Sequence, residues 1–259
     1  MGIVFLWTGC SDDKASGKDP LIVAHRGVSY AYPENTVQAF NAAVDQTIES
    51  VECDIYLTKD DSVMIFHDLD VSRLTTMTGP VQEYTAAELR QGISGRSGGT
   101  GITLNEFITR YGNSFSTLFI EIKEGQPDSL LYRTVRKFTS LIQSSGIEHK
   151  VIATCTAQGP LDTVKHYSAA IRVAYEVREE SDLVQQLKRY PYILITYEKL
   201  SPAIYQTVRS AGGTLIAFTP NTVPEYERTI SNGCDFIMTD NPLELKKYLL
   251  SRNSSAFPE

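Results

Sequence analysis

The chain has 259 residues, 42% of them hydrophobic, enough to bury the core of one large domain. Its formal net charge of −7 argues against nucleic acid as a partner, because phosphate-backbone binding needs a basic face. Of the four cysteines, Cys53, Cys155 and Cys234 lie in or beside apolar strand-like runs and are expected as buried free thiols, with neither zinc spacing nor a disulfide framework.

Residues 1–20 read as a leader and spacer. The apolar run from Ile3 to Gly9 is too short to span a bilayer and ends at Cys10, followed by Ser11-Asp12-Asp13-Lys14. This resembles the end of a bacterial lipoprotein signal, with Gly9-Cys10 as the point of cleavage and lipidation and the acidic stretch as a surface-export tag. Trp7 stands where Leu is usual, and only Met1-Gly2 precede the run. The resemblance implies a lipid anchor to the membrane through Cys10 and a periplasmic or outer-membrane location, surface-exposed in some bacteria.

The domain proper is expected over residues 21–250, with 251–259 as a tail. Leu21-Ile22-Val23-Ala24 is continuously apolar, as in a strand buried on both faces, and runs into His25-Arg26-Gly27. Pro33-Glu34-Asn35-Thr36 opens a helix carrying Val37, Phe40 and Val44 on one side. Two β-runs follow, Val51–Leu57 and Val63–His67, joined by the turn-forming Asp60-Asp61. A hairpin centred between those aspartates sets Asp54 opposite His67. Thr85-x-x-Glu88 and Thr103-x-x-Glu106 are capping boxes that start short helices, and Gly92 to Gly101 between them reads as a mobile loop. Thr117–Lys123 is a strand with Glu121 and Lys123 on one face; a long helix then carries Leu131, Val135, Phe138 and Ile142 to a stop at Gly146. Beyond it, strand-like runs at 151–155, 172–177, 193–197, 214–219 and 236–239 alternate with helical ones, and Asn241-Pro242 starts the last helix.

Eight of these runs can be parallel, which predicts an α/β fold, a closed (β/α)8 TIM barrel, and no glycine-rich dinucleotide fingerprint follows the first strand. Barrel sites form at the C-terminal ends of the strands. His25, Glu52, Asp54, Glu121 and Lys123 all fall there, with Glu52 and Asp54 on one face of their strand because strand side chains alternate. Three carboxylates, Glu52, Asp54 and Glu121, suit a hard divalent cation, Ca²⁺ or Mg²⁺. Arg26 and Lys123 add positive charge for a phosphoryl group, and His25 with His67 can act as an acid–base pair near neutral pH. A surface hairpin with solvated charges would explain the 51–68 stretch alone, but not the convergence of the rest. His149 and His166 are expected on the surface.

The ordered set His25-Arg26-Gly27, Pro33-Glu34-Asn35-Thr36, Glu52-x-Asp54, His67-Asp68, Glu121-x-Lys123 and Thr239-Asp240-x-Pro242 resembles the glycerophosphodiester phosphodiesterase family, over about Leu21 to Leu250. The resemblance implies a metal-dependent TIM barrel with a small insertion between its second and third strands, here residues 69–116. It also implies that Glu52, Asp54 and Glu121 hold the metal, His25 and His67 exchange protons, and Arg26 and Lys123 hold phosphate. Asn35 would order the site, its alternative being helix capping. Phe218-Thr219-Pro220 and Thr154-Cys155-Thr156 depart from the family's usual residues and bear on the wall around the alcohol group, where Tyr175, Tyr197 and Phe218 are candidate lining residues.

The activity implied is hydrolysis of small-molecule glycerophosphodiesters to sn-glycerol 3-phosphate and an alcohol, through the substrate's 2-hydroxyl. The alternatives are a phosphodiesterase acting on intact lipid or polymer, and a surface lipoprotein that binds a phosphorylated ligand without turning it over.

Overall fold

Mostly apolar runs form the strands of a closed barrel, because both faces are covered: one by the barrel interior, the other by helices. The computed structural model describes residues 19–254; the leader, with its lipidation point at Cys10, lies outside them. In chain order the strands are β1 (Leu21–Ala24), β2 (Ser50–Leu57), β3 (Val63–Ile65), β4 (Thr117–Ile122), β5 (Val151–Cys155), β6 (Arg172–Glu176), β7 (Tyr192–Thr196), β8 (Thr214–Phe218) and β9 (Phe236–Thr239). The helices are α1 (Val37–Asp45), α2 (Ala86–Ser97), α3 (Leu104–Tyr111), α4 (Asp128–Ser145), α5 (Gln158–Tyr167), α6 (Leu183–Leu187), α7 (Pro202–Ser210), α8 (Val223–Asn232) and α9 (Pro242–Ser254). All strand pairings are parallel except β2–β3, and β1 pairs with both β2 and β9, which closes an eight-stranded TIM barrel.

Alternation along the strands sorts the core into two layers. Val23, Phe119, Ile152, Ala174, Leu194, Ile216, Phe236 and Met238 fill the barrel interior. Their neighbours, such as Val51, Cys53, Ile55, Ile120 and Ala153, face outward against Phe40, Phe107, Val135 and Phe138 of the helices. Cys53, Cys155 and Cys234 are buried free thiols, and burial pushes the Cys155 thiol up to about 12.

The hairpin register differs from the expected one. Ile55 pairs with Ile65, Tyr56 with Met64 and Leu57 with Val63, so the turn centres on Asp60 and Asp54 falls opposite Phe66, whose N–H donates to the Asp54 carbonyl at 3.0 Å. The cause is the connection: Thr58 N–H donates to Ser62 O, and Asp61 takes the left-handed conformation (φ 64°), which adds one residue to the turn. The ladder ends at Ile65, and His67 lies beyond it on irregular chain.

The stretch 69–116 divides in two. Residues 69–97 form a small layer over β3, with Val71, Val81, Leu89 and Ile93 packed on Tyr56, Met64 and Phe66. α3 belongs to the barrel wall instead, its Phe107 packing edge-on against Phe40 at 4.8 Å. Both capping boxes form, Thr85 with Glu88 and Thr103 with Glu106. Gly92 to Gly101 is not a loop throughout: Gly92–Ser97 is the second half of α2. Gly92 is there for close approach, since a Cβ would sit 2.9 Å from Thr75 Cβ and 2.8 Å from Met77 Cε.

Candidate active site

β1 delivers His25, Arg26 and Gly27 to the barrel mouth. Arg26 adopts φ 55° and Gly27 φ 78°, a reversal that turns the Arg26 N–H onto Glu52 Oε2 at 2.9 Å. A side chain at Gly27 would meet Ala39 at 2.7 Å, so this turn packs directly on α1. Glu52 and Asp54 project from β2 to the barrel interior, and Asp54 pairs in register with Glu121 of β4. One oxygen from each of Glu52, Asp54 and Glu121 lies within 4.8 Å of the others.

Burial makes this cluster costly unless it is neutralised. Glu52 and Asp54 are almost wholly buried, and Glu52 Oε1 and Asp54 Oδ1 have no hydrogen-bond partner. Burial, reinforced by Asp54, pushes Glu52 well above the carboxylate range; burial and Asp54 also push Glu121 up to about 7. Burial would raise Asp54 too, but Arg26, Lys123, His67 and the Asn35 amide outweigh it and keep its carboxyl low. The cations stand close: Arg26 Nε is 3.3 Å from Asp54 Oδ2, and Lys123 Nζ is 2.7 Å from Glu121 Oε1 and 3.6 Å from Asp54 Oδ1. Converging acids that keep orphaned, buried oxygens fit a hard divalent cation, with positions left for water or substrate oxygen.

Asn35 holds the cluster rather than the helix. It takes φ 58°, donates from Nδ2 to Asp54 Oδ2 at 2.8 Å and accepts the Asp54 N–H at 3.5 Å. The N-cap of α1 is Thr36, which accepts from Ala39 N–H.

Each histidine is tethered by its own carboxylate. His25 Nδ1 lies 2.7 Å from Asp240 Oδ1, while Asp240 also accepts from Ser29 Oγ at 2.8 Å and Asn221 Nδ2 at 2.7 Å. These donors hold the Asp240 carboxyl down at about 2 against the opposing effect of burial. His67 Nδ1 lies 2.6 Å from Asp68 Oδ1. A carboxylate accepts, so in both rings Nδ1 carries the proton and Nε2 is left for chemistry. His25 Nε2 is 3.9 Å from Glu52 Oε2. Burial and the cations Arg26 and Lys123 hold the His67 imidazole below its ordinary range, against the raising effect of Asp54.

A cavity of about 330 Å³ opens over this group, lined by His25, Arg26, Glu52, His67, Glu121 and Lys123. Thr154, Thr156, Glu176, Leu194, Phe218 and Met238 also line it, together with Glu124 and Arg178. Of the candidate wall aromatics, Phe218 lines the cavity and the two tyrosines do not. Tyr175 faces the helix layer and stacks on Tyr190 (centroids 5.5 Å, 9°), because its neighbours Ala174 and Glu176 take the inward positions. Tyr197 also turns outward, donating to Glu225 Oε1 at 2.9 Å. His149 and His166 are exposed, away from the cavity.

Sequence reasoning assigned no role to Asp240, Asp68, Glu34 or Glu176. Both Asp240 and Asp68 stood inside quoted motifs; for Asp68 the adjacent His67 is a signal that could have found it, whereas Asp240 has no histidine near it in sequence and meets His25 only through the fold. Glu34 accepts from Arg26 Nη1 at 2.8 Å; Glu176 carried no local signal.

A model of the Glycerophosphoryl diester phosphodiesterase family matches residues 25–244. A glycerophosphodiester phosphodiesterase of Caldanaerobacter subterraneus is 29% identical over 232 residues, covering 86% of this chain and 94% of its own. Among solved structures, an Oleispira antarctica phosphodiesterase in complex with the product sn-glycerol-3-phosphate superposes with a TM-score of 0.79 at 24% identity, over 89% of this chain and 96% of that one. A glycerophosphodiester phosphodiesterase from Parabacteroides distasonis does so with a TM-score of 0.77 at 22% identity, over 92% and 100%. These two likenesses concern the fold; the family match runs from the end of β1 into α9 and includes every residue that meets at the barrel mouth. The chain therefore belongs to the glycerophosphoryl diester phosphodiesterase family and is a phosphoric diester hydrolase.

Proposed function

We propose that the protein cleaves glycerophosphodiesters to sn-glycerol 3-phosphate and an alcohol, using His67 as first base and His25 as first acid. The observation that carries this reading is the pair of histidines on one cavity, each bound through Nδ1 to a carboxylate, beside three clustered carboxylates and two cations. A protein that only bound a phosphorylated ligand would have no use for two oriented imidazoles. Glu52, Asp54 and Glu121 would hold the divalent cation, Ca²⁺ or Mg²⁺, which when bound supplies charge against the phosphoryl oxygens. Arg26 and Lys123 would bind the same oxygens from their own positions.

The partners of the two carboxylates support the division of roles. Burial and the cations Arg26 and Lys123 hold the His67 imidazole below its ordinary range, which suits a base. Asp240 is held by neutral donors, Ser29 and Asn221, and so offers its charge to an imidazolium at His25, which suits an acid. His67 Nε2 takes the proton of the substrate's 2-hydroxyl as that oxygen attacks phosphorus. The bond from phosphorus to the leaving alcohol breaks, and His25 protonates the departing oxygen. In the second half, water attacks the cyclic phosphate and gives a proton to His25; the 2-oxygen leaves phosphorus and recovers its proton from His67. An internal hydroxyl is favoured over free water because effective molarities of oriented groups reach about 10⁵ M or more.

Release of sn-glycerol 3-phosphate from glycerophosphocholine, with and without chelator, tests the reaction. Release that is abolished by chelator and by His25→Ala or His67→Ala is expected; no release with any added divalent cation would overturn the reading. A diester lacking the 2-hydroxyl should react at least about a hundredfold more slowly. Equal rates would replace the cyclic intermediate by direct attack of water.

A further inference from the structure

The insertion over β3 sends one guanidinium toward the site without reaching the cavity. Arg73 ends a short 3-10 turn, Val71–Arg73, whose start is fixed by Asp70: its carboxylate accepts from Ser72 N–H at 2.8 Å and Gly79 N–H at 3.2 Å. Val71 beneath it is fully buried. From this base Arg73 makes three charge-assisted bonds. Nη1 and Nη2 donate to Glu34 Oε2 and Oε1 at 2.8 and 2.9 Å, and Nε donates to Asp68 Oδ2 at 2.5 Å.

Each acceptor is already engaged with a residue of the site. Asp68 turns its other oxygen to His67 Nδ1 at 2.6 Å, and Glu34 accepts from Arg26 Nη1 at 2.8 Å. One guanidinium therefore joins the tether of a histidine to the tether of the arginine beside the carboxylate cluster, across residues far apart in sequence. A planar fork can satisfy a bidentate carboxylate and a second acceptor together; an ammonium cannot hold the same geometry.

We propose that Arg73 is a positioning residue for phosphodiester hydrolysis, through which the insertion holds His67 and Arg26 in their working orientations. The inference rests on the reaction proposed above. It gives the insertion a part in catalysis: residues 69–97 brace the barrel mouth from outside, and the bracing passes through Asp68 and Glu34.

The test compares Arg73→Ala and Arg73→Lys with Arg90→Met, which breaks an ion pair to Glu106 elsewhere in the same region. Activity on glycerophosphocholine in the wild type establishes the reaction first, so its absence there would count against the proposed function and not against Arg73. Arg73→Ala should lose about 10–100-fold in kcat/KM, the range for removing an outer partner of a site residue, with Arg90→Met unchanged. Added millimolar guanidinium should restore part of the loss, since the Arg73 side chain is half exposed and its place can be refilled. In an Asp68→Asn background the loss from Arg73→Ala should be smaller, because the two act on His67 as a unit. Should the alanine variant not fold, Arg73→Lys carries the test, with about a tenfold loss expected from the missing fork. Folded Arg73 variants within about twofold of wild type, or losses that guanidinium leaves untouched and Asp68→Asn does not reduce, would overturn the proposal.

Discussion

The two polar contacts that Asn35 makes with Asp54 are worth a test because both partners are buried and neither can turn to water. Asn35→Ala removes the amide and also puts a residue with a Cβ but no local hydrogen bond at φ 58°. Divalent-cation affinity, read by titration calorimetry, should fall about 10–100-fold, as for other partners of ligating carboxylates. Unchanged affinity would remove Asn35 from the site's support. Asp240 gives a pH prediction. Its folded pKa of about 2 lies below the ordinary 3.8, so its ionised form stabilises the fold above that ordinary value and the stabilisation is lost as pH falls toward 2. Asp240→Asn should therefore be less stable than wild type in denaturant titrations at pH 6, with the gap narrowing at pH 2.5. A gap that is constant with pH would mean that the charge of Asp240 contributes nothing to stability.

At the scale of elements, α2 shows how a glycine-rich sequence can serve packing. Thr85 and Glu88 start the helix, Gly98 in the left-handed conformation ends it, and Gly92 lets it lie against Thr75. A larger residue there gains helix propensity of at most about 1 kcal/mol but must displace the Thr75 side chain. Gly92→Val should destabilise the protein by about 1–3 kcal/mol, the usual cost of overpacking. Thermal or denaturant unfolding checks this, and a stabilised variant would show that Thr75 and Met77 give way and that close packing does not require glycine there. The hairpin teaches a related lesson. The strands and the presence of a turn were legible from alternation and from Asp60-Asp61, but the register hung on one residue, Asp61, adopting a positive φ. Such a choice is a small local preference of the turn, which strand alternation does not reveal.

At the scale of the whole molecule, no helix among the described residues is long and apolar enough to cross a membrane. Attachment, if it follows the expectation from Gly9-Cys10, would come from lipidation at Cys10, and we propose that it does. Full-length protein made in its native host should sediment with membranes and Cys10→Ser should not; equal partitioning of the two would end that proposal. The sequence by itself determined the architecture: eight apolar runs alternating with helices leave no edge to cover only when the sheet closes. It also determined which side chains share a face: Glu52 and Asp54 are two apart on β2, and Lys123, one residue past β4 and still bonded to Ile55 O, keeps the period of two with Glu121. Tertiary structure alone decided the rest. His25 meets Asp240, 215 positions away, because β1 closes the barrel against β9. Tyr175 turned outward because its strand neighbours Ala174 and Glu176 hold the inward positions, a phase that aromatic character does not reveal, and Tyr197, one residue past the end of β7, is held by Glu225 instead. Arg73 reached Glu34 and Asp68 because the insertion folds back over β3. Periodicity is a local property and can be read along a chain, whereas a side chain's partners depend on which distant segments the closed barrel and its loops bring alongside.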